Sequence, residues 1–127
     1  MNSWLLIFLG GGLGSVTRYG VGKWMASVLP VSFPFGTLLA NTFSALILGI
    51  FIGLTISKTQ DENLLRFFVA VGFCGGFSTF SAFSAETFEM LRNGYFLYGG
   101  LNILVNVAVC LLMFGLGTWI VRILAAS

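Results

Sequence analysis

Gly72-Phe73-Cys74-Gly75-Gly76-Phe77-Ser78-Thr79-Phe80-Ser81-Ala82-Phe83-Ser84-Ala85-Glu86-Thr87 is an apolar stretch that glycine interrupts and that then turns periodic. Gly72, Gly75 and Gly76 weaken a helix at what would be mid-membrane. Unwound backbone at that depth is tolerated only where protein buries it or it lines a cavity. Carbonyls bared at such a break are hard oxygen ligands of the kind that hold alkali cations in membrane proteins. The same glycines also permit close helix packing through the Gly72-xxx-Gly76 spacing. Beyond them Phe77, Phe80 and Phe83 form one stripe, and Ser78, Ser81 and Ser84 a second. A step of three drifts by roughly 60° on an α-helix, so each stripe is expected to keep to one broad face. Aromatic stripes are usually core, and membrane serines usually bond to their own carbonyls. Hydroxyl donors interleaved with phenyl rims, which carry the positive part of the ring quadrupole, would also suit an anion without a full cation in its path.

The surrounding chain has no water-facing surface to offer. Of its 127 residues 57% are hydrophobic and 8% charged, and mean hydropathy is +1.00. A soluble surface needs roughly 25–35% charged residues, so the sequence reads as an integral membrane protein. A membrane helix takes about 20 apolar residues. Spans are predicted at 4–29, 35–56, 64–91 and 95–123, giving an all-α, four-helix transmembrane domain over 1–127 whose third helix is broken at mid-membrane. Pro30-Val31-Ser32-Phe33-Pro34 interrupts the chain twice between the first two spans. In the polar loop Ser57-Lys58-Thr59-Gln60-Asp61-Glu62-Asn63, Thr59 and Glu62 fit a capping box, and Asp61 complements the positive end of the next helix. Asn93-Gly94 makes the last turn. The start carries no Lys or Arg and runs into Gly10-Gly11-Gly12-Leu13-Gly14-Ser15 without a clear cleavage site, so a cleaved signal peptide is not expected. Four spans put both termini on one side, and any activity is expected inside the bilayer.

Charge and cysteine usage narrow the classes further. The chain has no His, which removes the usual general base and the commonest neutral metal ligand. A net charge of +2 is too weak and scattered for nucleic-acid binding. Cys74 and Cys110 form no CxxC pair and read as buried small hydrophobes. Lys58, Arg66 and Arg122 fall on the side of the termini, against Lys23, Arg92 and, if it reaches that interface, Arg18 on the other. That balance sets no orientation. Insertion both ways would let two copies pair antiparallel about a twofold axis in the membrane plane, a symmetry that larger transporters reach with inverted repeats.

Isolated polar residues mark the remaining spans. Asn41 lies in the otherwise apolar second span and needs a partner helix or a wet cavity. Asn102 and Asn106, with Tyr98 one turn earlier, share a face of the fourth span. With Asn41 they supply either a track of amide donors or an interhelical zip. Arg18, one turn beyond Gly14, would cost about 2.5–3.5 kcal/mol at mid-membrane and is expected to snorkel toward a water-filled vestibule. Glu89 and Arg92 are spaced as an ion pair, while Glu86 lies deeper.

Together these residues resemble the Fluc (CrcB) family of fluoride channels. GFCGGFSTFSAFSAE at 72–86 is similar to the family pattern GFxGGxTTFSTFSxE. The likeness extends to Gly10-Gly11-Gly12-Leu13-Gly14-Ser15-Val16-Thr17-Arg18-Tyr19, and to Gly36-Thr37-Leu38-Leu39-Ala40-Asn41 with Gly49. It implies an antiparallel dual-topology homodimer in the cell's inner (plasma) membrane, with two pores and passive export of fluoride. It also implies that Phe80 and Phe83 turn ring edges toward fluoride and that Asn41 is the pore asparagine. Carbonyls of Gly75 and Ser78 would hold a structural sodium ion at the dimer interface, Arg18 would serve the vestibule, and Glu86 is the acidic position after the motif. Thr79, Ser81, Asn102 and Asn106 complete the expected pore lining. Ser44-Ala45 stands where the family has Gly-Ser, Ser78 replaces Thr, and Ala82 replaces a Thr whose hydroxyl is therefore missing.

Elementary electrostatics agrees with that class. Stripping water from even a carboxylate-sized ion costs of order 20 kcal/mol in an idealised low-dielectric medium. A selective pore must return that with short charge-assisted hydrogen bonds along a narrow path. Other classes meet obstacles. A small dual-topology, proton-coupled multidrug exporter needs a carboxylate on the first helix, which has none. A non-transporting assembly subunit would rely on glycine faces such as Gly10-xxx-Gly14 and Gly49-xxx-Gly53. An intramembrane enzyme lacks any visible activated nucleophile.

Overall fold

The computed structural model describes residues 2–29, 31–55 and 63–127, and these are helical with short connections and no strand. Helix α1 spans Ser3–Val28, and the Asn2 side chain caps it by accepting from the Trp4 amide at 3.1 Å. Helix α2 spans Phe35–Thr55. Pro30, Ile56, the proposed capping box of Thr59 and Glu62, and Asp61 lie outside the described residues. Helix α3, Asn63–Arg66, widens into a π-helical segment, Phe67–Cys74, and tightens again as α4, Gly75–Phe77. Ser78 and Thr79 are extended, with ψ of 157° and 116°. Helix α5 follows over Phe80–Arg92, and α6 over Phe96–Ala126.

Two corrections to the sequence reading follow from the third helix. The chain unwinds at Ser78 and Thr79, after the glycines, which themselves remain helical. Phe77 therefore precedes the break and Ser78 lies within it, and the two stripes of three do not run along one helix.

The glycines are used for close approach. A Cβ at Gly76 would strike the Gly11 carbonyl of α1, and one at Gly14 would strike the Phe73 carbonyl in return. A second seam joins α2 to α6, where a Cβ on Gly49 would strike the Phe114 carbonyl. The chain is thus two closely packed helix pairs, α1 with the broken helix and α2 with α6. Gly10, Gly14, Gly49 and Gly53 all meet neighbours within the protomer, so these faces are not free for an outside partner.

The turn after α5 needs glycine for a different reason. Gly94 has φ of +84°, a left-handed conformation that costs glycine little. There the Tyr95 amide reaches back to the Met90 carbonyl at 2.8 Å.

The outer face is apolar, with Trp4, Phe8, Leu112 and Trp119 all exposed. Three helices, Phe35–Thr55, Leu64–Arg92 and Phe96–Ala126, are long and apolar enough to cross a membrane. Helix α1 has 26 residues, about 39 Å at 1.5 Å per residue, but its glycines and its cations Arg18 and Lys23 make it less apolar than these three.

Candidate functional site: a polar cavity at the helix break

Two side chains explain why the helix breaks where it does. In an unbroken helix the Thr79 amide would reach the Gly75 carbonyl; here it donates to Asn41 Oδ1 on α2 at 2.7 Å. Thr79 then acts as the N-cap of α5, its Oγ1 accepting from the Ala82 amide at 3.1 Å. The backbone before the break is held with equal economy. Cys74's carbonyl accepts from the Ser78 amide at 3.0 Å, from Ser78 Oγ at 2.7 Å and from Ser44 Oγ at 2.9 Å. Arg18 Nε donates to the Gly76 carbonyl at 3.0 Å, placing a cation at the negative end of a helix. This half-buried guanidinium is tied to the break, a partner that the snorkelling expectation did not include.

From Asn41 a chain of amides runs through the protomer. Asn41 Nδ2 donates to the Thr79 carbonyl at 3.3 Å and to Asn106 Oδ1 at 3.4 Å. Asn106 Nδ2 donates to the Asn102 carbonyl at 2.9 Å and to Asn102 Oδ1 at 2.8 Å. Asn102 Nδ2 donates to Thr87 Oγ1 at 2.9 Å, which in turn donates to the Phe83 carbonyl. Tyr98 is not in this network; its ring meets Tyr95.

Beside the break lies a cavity of about 430 Å³, lined by Asn41, Ser78, Thr79, Phe80, Phe83 and Asn106, with Gly75, Cys74 and Cys110. None of its lining residues is charged. Phe83 is buried, whereas Phe80 is 78% exposed, and their ring centroids lie 5.6 Å apart at 47°. Cys110 is only half-buried, unlike Cys74. Asn102 is fully buried behind Asn106 and does not reach the cavity. Ser81 is exposed and also off the cavity wall, with its Oγ 3.2 Å from Thr79 Oγ1.

Glu86 belongs to a second cavity, of about 220 Å³, between the end of α1, the α1–α2 connection and α5. Its Oε1 accepts from Thr37 Oγ1 at 2.7 Å, while its Oε2 is buried without a partner. Glu89 pairs with Arg92 at 2.9 Å, as their spacing suggests.

Sequence reasoning missed Thr37, Ser44 and Thr87. A signal for the first two was present: Thr37, Asn41 and Ser44 are spaced i, i+4, i+7 and so form one polar stripe on α2. Nothing in the local pattern marked Thr87 as the partner of Asn102.

Three apolar spanning helices, one broken over a cavity with no charged lining residue, make this a multi-pass helical membrane protein. The chain belongs to the family described as CrcB-like protein, Camphor Resistance (CrcB), which matches residues 5–118. The likeness read from the 72–86 motif therefore holds. Over 124 residues the chain is 41% identical to the fluoride-specific ion channel FluC of Pyrococcus abyssi, covering 96% of this chain and 98% of that protein. It is 42% identical over 119 residues to the Coxiella burnetii protein of the same name, covering 93% and 96% of the two chains. With the Trichlorobacter lovleyi protein, also so named, identity is 43% over 112 residues, covering 88% and 90%.

Proposed function

We propose that this protein is a fluoride channel, not an enzyme, and that it passes fluoride through the cavity at the helix break. The observation that carries the reading is the uncharged wall around that cavity, with Asn41, Thr79 and Ser78 beside the Phe83 ring. It is supported by the relatives named as fluoride-specific ion channels. Neutral dipoles can replace the water of a small anion at close range, whereas full cations along the path would hold it too tightly to release. Asn41 offers an amide whose two present bonds are long, at 3.3 and 3.4 Å, Thr79 offers a hydroxyl, and Phe83 with Phe80 the positive rims of their rings. Asn106 Nδ2 and Ser78 Oγ donate to Asn102 and to the Cys74 carbonyl and would have to exchange those bonds for the anion. Asn102 acts from behind by fixing Asn106. An interior-negative potential drives the anion outward with roughly 2.3 kcal/mol per 100 mV.

The proposed assembly has four spans per chain, with α1 as the fourth, in the inner (plasma) membrane. Two protomers pair in opposite orientation and carry two pores. The near-even distribution of Lys and Arg supports insertion both ways. Phe80, 78% exposed, would meet the partner. Glu86 and Ser81, away from the cavity wall, would serve the approach to the path, and the remaining guanidinium nitrogens of Arg18 would attract anions to it.

The residues at the break also fit a sodium ion. The Thr79 and Ala82 amides are drawn to side-chain oxygens, away from the Gly75 and Ser78 carbonyls, and a Cβ on Gly75 would meet nothing within 4 Å. Sodium held by these carbonyls would supply a structural cross-link between protomers. The reading is tested by comparing fluoride and chloride efflux from liposomes containing the purified protein. Fluoride efflux with chloride retained is expected; equal efflux of both would remove the selectivity on which the proposal stands.

A further inference from the structure

The cavity at the break contains two groups that fluoride conduction does not use. Cys74, on the π-helical segment, and Cys110, on α6, line the same space of about 430 Å³, and both thiols are free. Cys74 is only 3% exposed, and its carbonyl accepts from the Ser44 and Ser78 hydroxyls, which fixes its backbone at the cavity wall. No carboxylate lines the cavity, so nothing there favours a hard cation such as Mg²⁺ or Ca²⁺. Sulfur ligands instead select soft ions.

We propose that this cavity is an inhibitory site for soft, thiophilic cations, with the Cys74 and Cys110 sulfurs as ligands. With methylmercury chloride as the probe, the S–H bond breaks and an S–Hg bond forms at each thiol. The proton goes to water, chloride leaves the mercury, and no electron is transferred. The bound mercurial occupies the space beside Asn41, Asn106 and Phe83. Binding stands apart from the function proposed above; block of fluoride rests on it.

The test treats full-length protein in liposomes with methylmercury chloride, reads adducts by intact-mass spectrometry and follows fluoride efflux in parallel. Adduct forms first at Cys110, the more exposed thiol. Efflux falls to the level of protein-free liposomes and returns on adding dithiothreitol. Mg²⁺ and Ca²⁺ do neither. A Cys74→Ala/Cys110→Ala variant takes up no mercury, and its efflux, whatever its starting rate, does not change on treatment. If that variant does not purify, Cys110→Ser alone must show less adduct and weaker block. Wild-type protein that takes no adduct while folded, or block that survives loss of the thiols, overturns the proposal. Adduct with undiminished fluoride efflux overturns it as well, because the thiols would then bind without inhibiting.

Discussion

Replacing Asn41 with alanine removes the side chain from α2 that takes up the Thr79 amide at the break. The Thr79 amide loses its 2.7 Å acceptor at a position only 8% exposed. A buried donor left unsatisfied costs about 1–3 kcal/mol. The two bonds from Nδ2, at 3.3 and 3.4 Å, are long. Side-chain bonds between membrane helices average about 0.6 kcal/mol, so each adds no more than that. The expected loss is therefore about 1–4 kcal/mol, or roughly 5- to 700-fold in the folding equilibrium at 1.4 kcal/mol per tenfold. Asn41→Asp keeps an acceptor for the Thr79 amide but turns a second oxygen toward the Thr79 carbonyl and Asn106 Oδ1. It should therefore retain the break while losing the amide donor. Reversible unfolding in mixed micelles, followed by tryptophan fluorescence, measures both variants. A cost for Asn41→Ala of about 0.6 kcal/mol or less, the value of ordinary interhelical glue, would refute the claim that α2 holds the break.

Three further substitutions probe the packing and the guanidinium. Gly76→Ala drives a methyl into the α1 backbone and should cost about 1–3 kcal/mol. Gly115→Ala, where a Cβ meets nothing, should be neutral or gain up to about 1 kcal/mol from helix propensity; thermal unfolding in detergent separates the two. Arg18→Ala loses a charged hydrogen bond to the Gly76 carbonyl, about 1.5–3 kcal/mol, and should lower stability and fluoride efflux together. A change confined to the salt dependence of efflux, with stability intact, would return Arg18 to a purely vestibular role.

Periodicity and composition carried the helices well because apolar length and glycine spacing act locally. Gly72-xxx-Gly76 could be read as a packing face, and Asn93-Gly94 as a turn, from the residues themselves. The position of the break could not, because it depends on an amide 38 residues away: Asn41 takes the Thr79 N–H that the Gly75 carbonyl would otherwise receive. The Arg18 bond to Gly76 spans 58 residues and was hidden for the same reason. Glycine flexibility pointed to the right neighbourhood and the wrong residues, since Gly72 and Gly76 face α1 and their helical geometry is what allows it to approach. Identity alone suggested that Asn102 lines the path, whereas burial puts it behind Asn106.

Fluoride efflux through Phe83→Ile, set against Phe88→Ile, tests the central claim most directly. Phe83 is buried at the cavity wall, and Phe88, on the same helix, is 62% exposed on the outer face. With both variants folded and equally incorporated in liposomes, Phe83→Ile should lose most of its fluoride efflux and Phe88→Ile should keep it. Undiminished efflux through Phe83→Ile would contradict the account, because an aliphatic side chain has no positive ring edge to offer a dehydrated anion.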